Sequence, residues 1–244
     1  LLRVTSKEGL HLYIKPFLAK EIADLELESL RHSTAHVMAA AVKRLFADVQ
    51  LDIGPATEDG FYYDFDMPHR LVPEDFPAIE NEMQKLIDAS LPFVKETVLR
   101  EEARKLFAGQ KYKLERLADI PENEPITIYR CGDFVDLCRG PHLGSTAEIK
   151  AFKILSVAGS YYRGLETNPM LQRLYGTAMP NNKELLEYLN RIEEARKRDH
   201  RKLGKELGLF SVHEDVGPGL IHWHPNGARV RSIIEDFWRR EHFK

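Results

Sequence analysis

His32-Ser-Thr-Ala-His36 and Cys138-Arg-Gly-Pro-His142 each set two side chains that can ligate a metal or relay a proton four positions apart. On a helix four residues make about one turn, so the members of a pair share a face. If the two pairs converge, they give three imidazoles and a thiol. That set suits tetrahedral zinc. Without a metal it suits holding a water for hydrolysis of an activated ester, because an imidazole with a pKa near 6.5 relays protons at neutral pH. Each pair alone is weak: the zinc-protease form has Glu after the first His, where this chain has Ser33, and single histidines at such spacing are usually structural.

Asp136 stands two residues before Cys138. On a strand both point to one face; otherwise Asp136 is a surface carboxylate or a turn cap. Tyr62 and Tyr63 alternate faces, so one is expected in the pocket and the other in the core. Lys111 and Lys113 read most simply as solvated lysines, and less commonly as cations beside a phosphate or ester.

Helical spacing of Val37, Ala40, Ala41 and Leu45 predicts a helix over 33–46 carrying the first pair. A second helix face is marked by Phe76, Ile79, Met83, Leu86 and Ile87 after Pro73-Glu-Asp. Strands are predicted at 60–65, 94–99, 126–130, 134–137, 149–157, 159–163 and 171–177, and a short helix at 100–107. Residues 112–117 read as helical or extended. Residues 1–31 alternate weakly and are expected to be strands, a tail, or the remnant of a preceding module. From Asn181 to about Leu207 the chain reads as one long charged helix, a connector. A Gly217-Pro-Gly219 turn, a strand through Trp223, a Pro225-Asn-Gly227 turn and a helix from Ala228 follow. The fold class is therefore α+β, with an antiparallel-sheet body at 32–180, a linker helix at 181–206, and the start of another domain at 207–244.

The chain has 244 residues, 43% hydrophobic and 30% charged, an ordinary globular composition with room for one sizeable core. Its net charge of −3 argues against a generally basic nucleic-acid coat but leaves room for a local groove at 191–205 or 229–244. No run approaches the roughly 18 apolar residues of a membrane span. With no secretory signal, Cys131 and Cys138 are expected to be reduced, and the compartment cytosolic. Leu1 and the unfinished amphipathic stretch at Lys244 lead to the expectation of a piece of a longer protein.

Six strings then carry a resemblance to bacterial-type threonyl-tRNA synthetases: Leu30-Arg-His-Ser-Thr-Ala-His36, Ile53-Gly-Pro, Gly60-Phe-Tyr-Tyr-Asp64, Asp136-Leu-Cys-Arg-Gly-Pro-His142, Met170-Leu-Gln-Arg-Leu-Tyr-Gly-Thr177 and Arg198-Asp-His-Arg-Lys-Leu-Gly204. The resemblance implies that 32–180 is an editing domain, related to that of alanyl-tRNA synthetases, which hydrolyses serine mischarged on threonine tRNA. It implies catalytic roles for His32, His36, Lys113, Cys138 and His142, and substrate-binding roles for Tyr63 and Asp136. In that scheme His32 and His36 contact the terminal adenosine, Lys113 and His142 hold the attacking water, Cys138 shapes the pocket, and Asp136 reads the seryl ammonium or hydroxyl. Editing would need no cofactor; zinc on His32, His36, Cys138 and His142 is the alternative. Residues 207–244 resemble the opening of a class II catalytic domain, cut within its first motif. ATP, magnesium and the family's synthetic-site zinc would then belong only to a full-length, homodimeric chain. The implied partners are the acceptor end of threonine tRNA carrying serine and the rest of the synthetase. A zinc-dependent esterase and a non-catalytic tRNA-binding or dimerisation module are the competing readings.

Overall fold

The computed structural model describes residues 7–213, 217 and 219–243, with side chains described from Asp24 onward. By its internal packing the chain divides into two units, Leu1–Leu185 and Leu186–Lys244.

The first unit opens with helix α1 (Lys7–Leu45), followed by strands β1 (Gln50–Leu51), β2 (Ala56–Thr57) and β3 (Gly60–Asp66). Helix α2 (Phe76–Asp88), strand β4 (Phe93–Val98), helices α3 (Arg100–Leu106) and α4 (Lys111–Asp119), and strands β5 (Ile126–Cys131) and β6 (Phe134–Leu137) come next. Strands β7 (Ala151–Tyr161) and β8 (Met170–Met179) complete its sheets, and helix α5 (Asn182–Lys197) begins in it. All pairings are antiparallel: one sheet runs β1-β3-β8-β7 with β2 also on β3, and the other runs β4-β5-β6. The α+β architecture with antiparallel sheets and packed helices is as the sequence predicted.

The main core joins Ala35, Met38 and Val42 of α1 to Ile79, Met83 and Leu86 of α2 over Phe61, Tyr63 and Phe65 of β3. The α2 residues recur at helical spacing and the β3 residues at spacing two, so each element buries one face. Burying a side chain of this size stabilises the fold by about 1.5–3 kcal/mol. This packing fixes α1, and hence His32 and His36, against the first sheet.

Helix α1 corrects the reading of residues 1–31 as strands: from Lys7 they are helical and continuous with the segment bearing His32. The weak alternation lost to a run of good helix formers, Ala19-Lys-Glu-Ile-Ala-Asp-Leu-Glu-Leu-Glu28. Residues 1–6 lie outside the described residues. Residues 112–117, left open between helix and strand, belong to α4. The strands predicted at 149–157 and 159–163 are one, β7, ending at Tyr161, with Arg163 in a following 3-10 turn. Gly159 does not break it; a Cβ there would sit 2.8 Å from the Met170 sulfur, so the glycine makes room for a cross-strand side chain.

The second unit contains most of α5, helix α6 (His200–Glu206), the hairpin β9 (Phe210–Val212) and β10 (Ile221–Trp223), and helix α7 (Pro225–His242). The single linker helix expected at 181–206 is two helices. Asp199 ends the first arrangement and caps α6, accepting from the Arg201 amide at 2.8 Å. Pro225-Asn-Gly227 is no turn: Pro225 opens α7, where its missing N–H costs nothing. Gly227 lies inside that helix, because a Cβ would fall 1.9 Å from the Leu209 carbonyl oxygen. Of the Gly217-Pro-Gly219 turn, Pro218 lies outside the described residues.

Candidate functional site

Helix α1 presents His32, Ser33 and His36 to the segment leaving β6. That segment is anchored on β5, where the Cys138 amide donates to the Thr127 carbonyl (3.1 Å) and the Thr127 hydroxyl donates to the Cys138 carbonyl (2.7 Å). Gly140 then takes a φ of +78°, and a Cβ there would lie 2.3 Å from the Tyr129 hydroxyl, so this position admits only glycine. The Gly140-Pro141 bond is cis. The turn returns His142 to α1 with its ring stacked on Phe93 (centroids 5.2 Å apart, planes 10° apart).

A row of hydrogen bonds links the two motifs, and one anchor fixes its direction. The Pro141 carbonyl can only accept, so His32 Nδ1 donates to it (3.2 Å) and the neutral ring's Nε2 is left as an acceptor. The Cys138 Sγ–H then points to His32 Nε2 (3.3 Å), His142 Nε2 donates to Sγ (3.3 Å), and Ser33 Oγ donates to His142 Nδ1 (3.1 Å). The Leu143 amide closes the row on Ser33 Oγ at 2.9 Å.

Beneath this row sits a fully buried charged layer. Asp136 (2% exposed) forms an ion pair with Lys113 (2% exposed) and accepts from the Tyr63 hydroxyl at 2.6 Å. Lys113 Nζ also donates to the Tyr63 oxygen (3.0 Å), and His36 Nε2 lies 3.4 Å from Asp136 Oδ2. The Tyr63 ring lies over Gly54, where a Cβ would come within 2.1 Å of it. Mutual attraction and these hydrogen bonds offset the several kcal/mol that each buried ion loses in solvation.

All seven residues predicted from sequence therefore meet in one cluster, in two layers. Cys138 (9% exposed), His32 and His142 reach toward solvent, while His36, Tyr63, Lys113 and Asp136 lie below. Of the paired alternatives, Tyr63 is in the site and Lys113 is the buried lysine. Tyr62 is not a core residue: it is half-buried with the Arg173 guanidinium 3.9 Å above its ring. Lys111 is exposed over Tyr112. Sequence reading passed over Ser33, Phe93 and Tyr129, which orient His142. Ser33 lies inside the first motif, but nothing in the spacing says that it faces His142; Tyr129 reads as an ordinary strand residue, and Phe93 falls just before the strand predicted at 94–99, though β4 begins with it.

Burial sets the charge state. Desolvation lowers the pKa of His32 and His142 and drives that of His36 well below its ordinary value, with neighbouring imidazoles also lowering the last two. Desolvation pushes the Cys138 thiol up to about 12 and Tyr63 well above the usual phenol range. At neutral pH the upper row is two neutral imidazoles and a thiol, with a third neutral imidazole, His36, below them. The unfolded chain takes up these histidine protons near pH 6.5, whereas the folded chain resists them. The stabilisation is thus complete above about pH 6.5 and lost as pH falls below it, by up to about 1.4 kcal/mol per pH unit for each histidine. Melting temperature measured from pH 8 to 5 is expected to be flat and then to fall below pH 6.5, with a shallower fall in His142→Gln.

His32, His36, Cys138 and His142 each offer one donor atom, all within 4.8 Å of one another. By kind and spacing the set fits a zinc ion, with Pro141 and Ser33 orienting two of the imidazoles from behind. Among the described residues no helix is long and apolar enough to cross a membrane.

Comparison with known proteins agrees with the motifs. Residues 126–175, which span β5, β6 and the Cys138–His142 turn, match the family described as the threonyl and alanyl tRNA synthetase second additional domain. The chain is 58% identical over 226 residues to a threonine–tRNA ligase of Dehalococcoides mccartyi, covering 93% of this chain and 38% of that protein. It is 56% identical to that of Nitratidesulfovibrio vulgaris (95% of this chain, 36% of the relative) and 52% identical to that of Lawsonia intracellularis (94% and 37%). It thus spans well under half the length of these relatives. Over more than nine-tenths of its length the chain is therefore similar to threonine–tRNA ligases, and within it residues 126–175 match the threonyl and alanyl tRNA synthetase second additional domain.

Proposed function

We propose that the cluster hydrolyses the ester of serine mischarged on threonine tRNA, as the proofreading site of a longer synthetase. The observation that carries this reading is the row of neutral imidazoles and a thiol at the mouth, laid over the buried Lys113–Asp136–Tyr63 layer. An imidazole at the mouth that gives up the hydrogen bond it accepts from the Cys138 thiol or the Ser33 hydroxyl can take a proton from a water attacking the ester carbonyl, and can return it to the ribose oxygen that leaves. The selectivity such a site must add is large. Serine lacks one methyl of threonine, and a missing methyl is worth only about 1–3 kcal/mol in a first binding step. A second pocket that excludes the threonine methyl supplies the remainder.

Burial refines the roles inferred from sequence. His32 and His142, at the mouth, are the groups that meet water and the terminal ribose, and Cys138 forms the pocket wall between them. His36 and Asp136 are too deep for the adenosine or a seryl ammonium without movement; they and Tyr63 hold Lys113 beneath the reacting ester. We assign the reaction to these side chains without metal. Zinc on His32, His36, Cys138 and His142 is the second reading, favoured by the convergence of their donor atoms; it would supply a Lewis acid and a more acidic bound water. Ligation of threonine to tRNA with ATP, dimerisation and a cytoplasmic location belong to this proposal for the longer protein. Deacylation assays with and without a chelator, on seryl- and threonyl-tRNA, distinguish the two readings.

A further inference from the structure

We propose that Asp52, clamped by Arg116, is the positioning residue that sets Lys113 against Tyr63 and Asp136, an inference that rests on the editing reading above. Asp52 belongs to the short segment after β1. Its amide donates to the Asp64 carbonyl at 3.0 Å, and the Asp64 amide donates to the Ile53 carbonyl at 3.0 Å, which ties the segment to β3 next to Tyr63. Its carboxylate, 2% exposed, receives a two-pronged contact from Arg116: Nε to Oδ1 at 2.8 Å and Nη2 to Oδ2 at 2.9 Å. Arg116 is three residues after Lys113 on α4, so one helical turn carries the clamp to the site.

The N-terminal end of α4 is tied to the same segment. Gln110 accepts from the Leu51 amide (2.8 Å) and donates to the Val49 carbonyl (2.9 Å), and the Lys111 amide donates to Gln50 Oε1 at 2.9 Å. Those bonds fix where α4 starts; the Arg116–Asp52 pair fixes its rotation about that point. Lys113 lies between the two attachments. Tyr63 and Lys113, the two groups that grip Asp136, are therefore referenced to one residue from opposite sides, Tyr63 through main-chain pairing and Lys113 through Arg116. A guanidinium can make both prongs at once in a fixed plane and an ammonium cannot, so Lys at 116 keeps the charge but not the angular constraint.

The test compares wild type, Arg116→Ala and Arg116→Lys under conditions where circular dichroism shows each folded. Two readouts are taken: steady-state deacylation of seryl-tRNA, and the side-chain ammonium resonance of Lys113 by nitrogen-15 NMR, assigned with Lys113→Arg. The expected result is a fall in kcat of about tenfold or more for Arg116→Ala with KM within about twofold, Arg116→Lys intermediate, and a shifted or broadened Lys113 resonance in the same order, since small misplacements of reacting groups carry large rate costs. A Lys113 resonance and kcat unchanged in Arg116→Ala would overturn the proposal. Were Arg116→Ala unfolded, Arg116→Lys decides alone by the same two readouts. A wild-type chain without deacylation, in which Arg116 variants still displace the Lys113 resonance, would leave the positioning role standing and remove the editing reading.

Discussion

Lys113→Ala is expected to cost the chain both its deacylation and a substantial part of its stability. The substitution leaves Asp136 buried with no cation, and breaking such a pair from one side costs about 3–5 kcal/mol. For a domain of this size that lowers the melting temperature by roughly 10 °C. Seryl-tRNA hydrolysis is expected to fall by about 10²–10³, the range for losing one preorganised charged group beneath the reacting ester. The double variant Lys113→Met with Asp136→Asn separates the effects: removing both charges restores most of the stability and none of the rate. A Lys113→Ala chain that melts like wild type would mean that the buried pair is not formed in solution.

His142→Ala is expected to remove hydrolysis on a similar scale, about 10²–10⁴, for a different reason. His142 ties its own motif to the first one, bonding Cys138 through Nε2 and Ser33 through Nδ1. Its loss strips the Ser33 hydroxyl and the thiol of a partner and leaves a gap against Phe93, costing about 1–3 kcal/mol for the unpaired groups. Melting curves and single-turnover deacylation read both effects. Cys138→Ser keeps a hydrogen-bonding group between the two imidazoles, so a smaller loss is expected there. A His142→Ala chain that retains wild-type turnover would remove this histidine from the chemistry.

The antiparallel body was legible because its elements repeat cleanly: Ile79, Met83, Leu86 and Ile87 on α2, and Phe61, Tyr63 and Phe65 on β3, write their own periods. Six of the seven site residues were legible because they stand in the two fixed spacings or the family strings; Lys113 stands in neither, and only the roles implied by the resemblance pointed to it. Their stacking in depth was not. Nothing in the sequence distinguishes His32, at the mouth, from His36 one turn later in the core; only the packing of α1 on α2 and β3 decides that. Glycine and proline misled in three places because each has more than one use. Gly159 clears a methionine within a strand, Gly227 lets a helix meet a carbonyl, and Pro225 begins a helix rather than a turn. The Asp52–Arg116 clamp spans 64 positions, and no local pattern pairs a lone aspartate with an arginine at that separation.

The central claim is tested most directly by presenting this chain with seryl- and threonyl-tRNA specific for threonine, with and without a chelator, while following ester loss. Rapid loss of serine alone, unchanged by the chelator, is the predicted result. Hydrolysis abolished by the chelator would transfer His32, His36, Cys138 and His142 to a zinc ion, and hydrolysis of neither ester would contradict the account of an editing site.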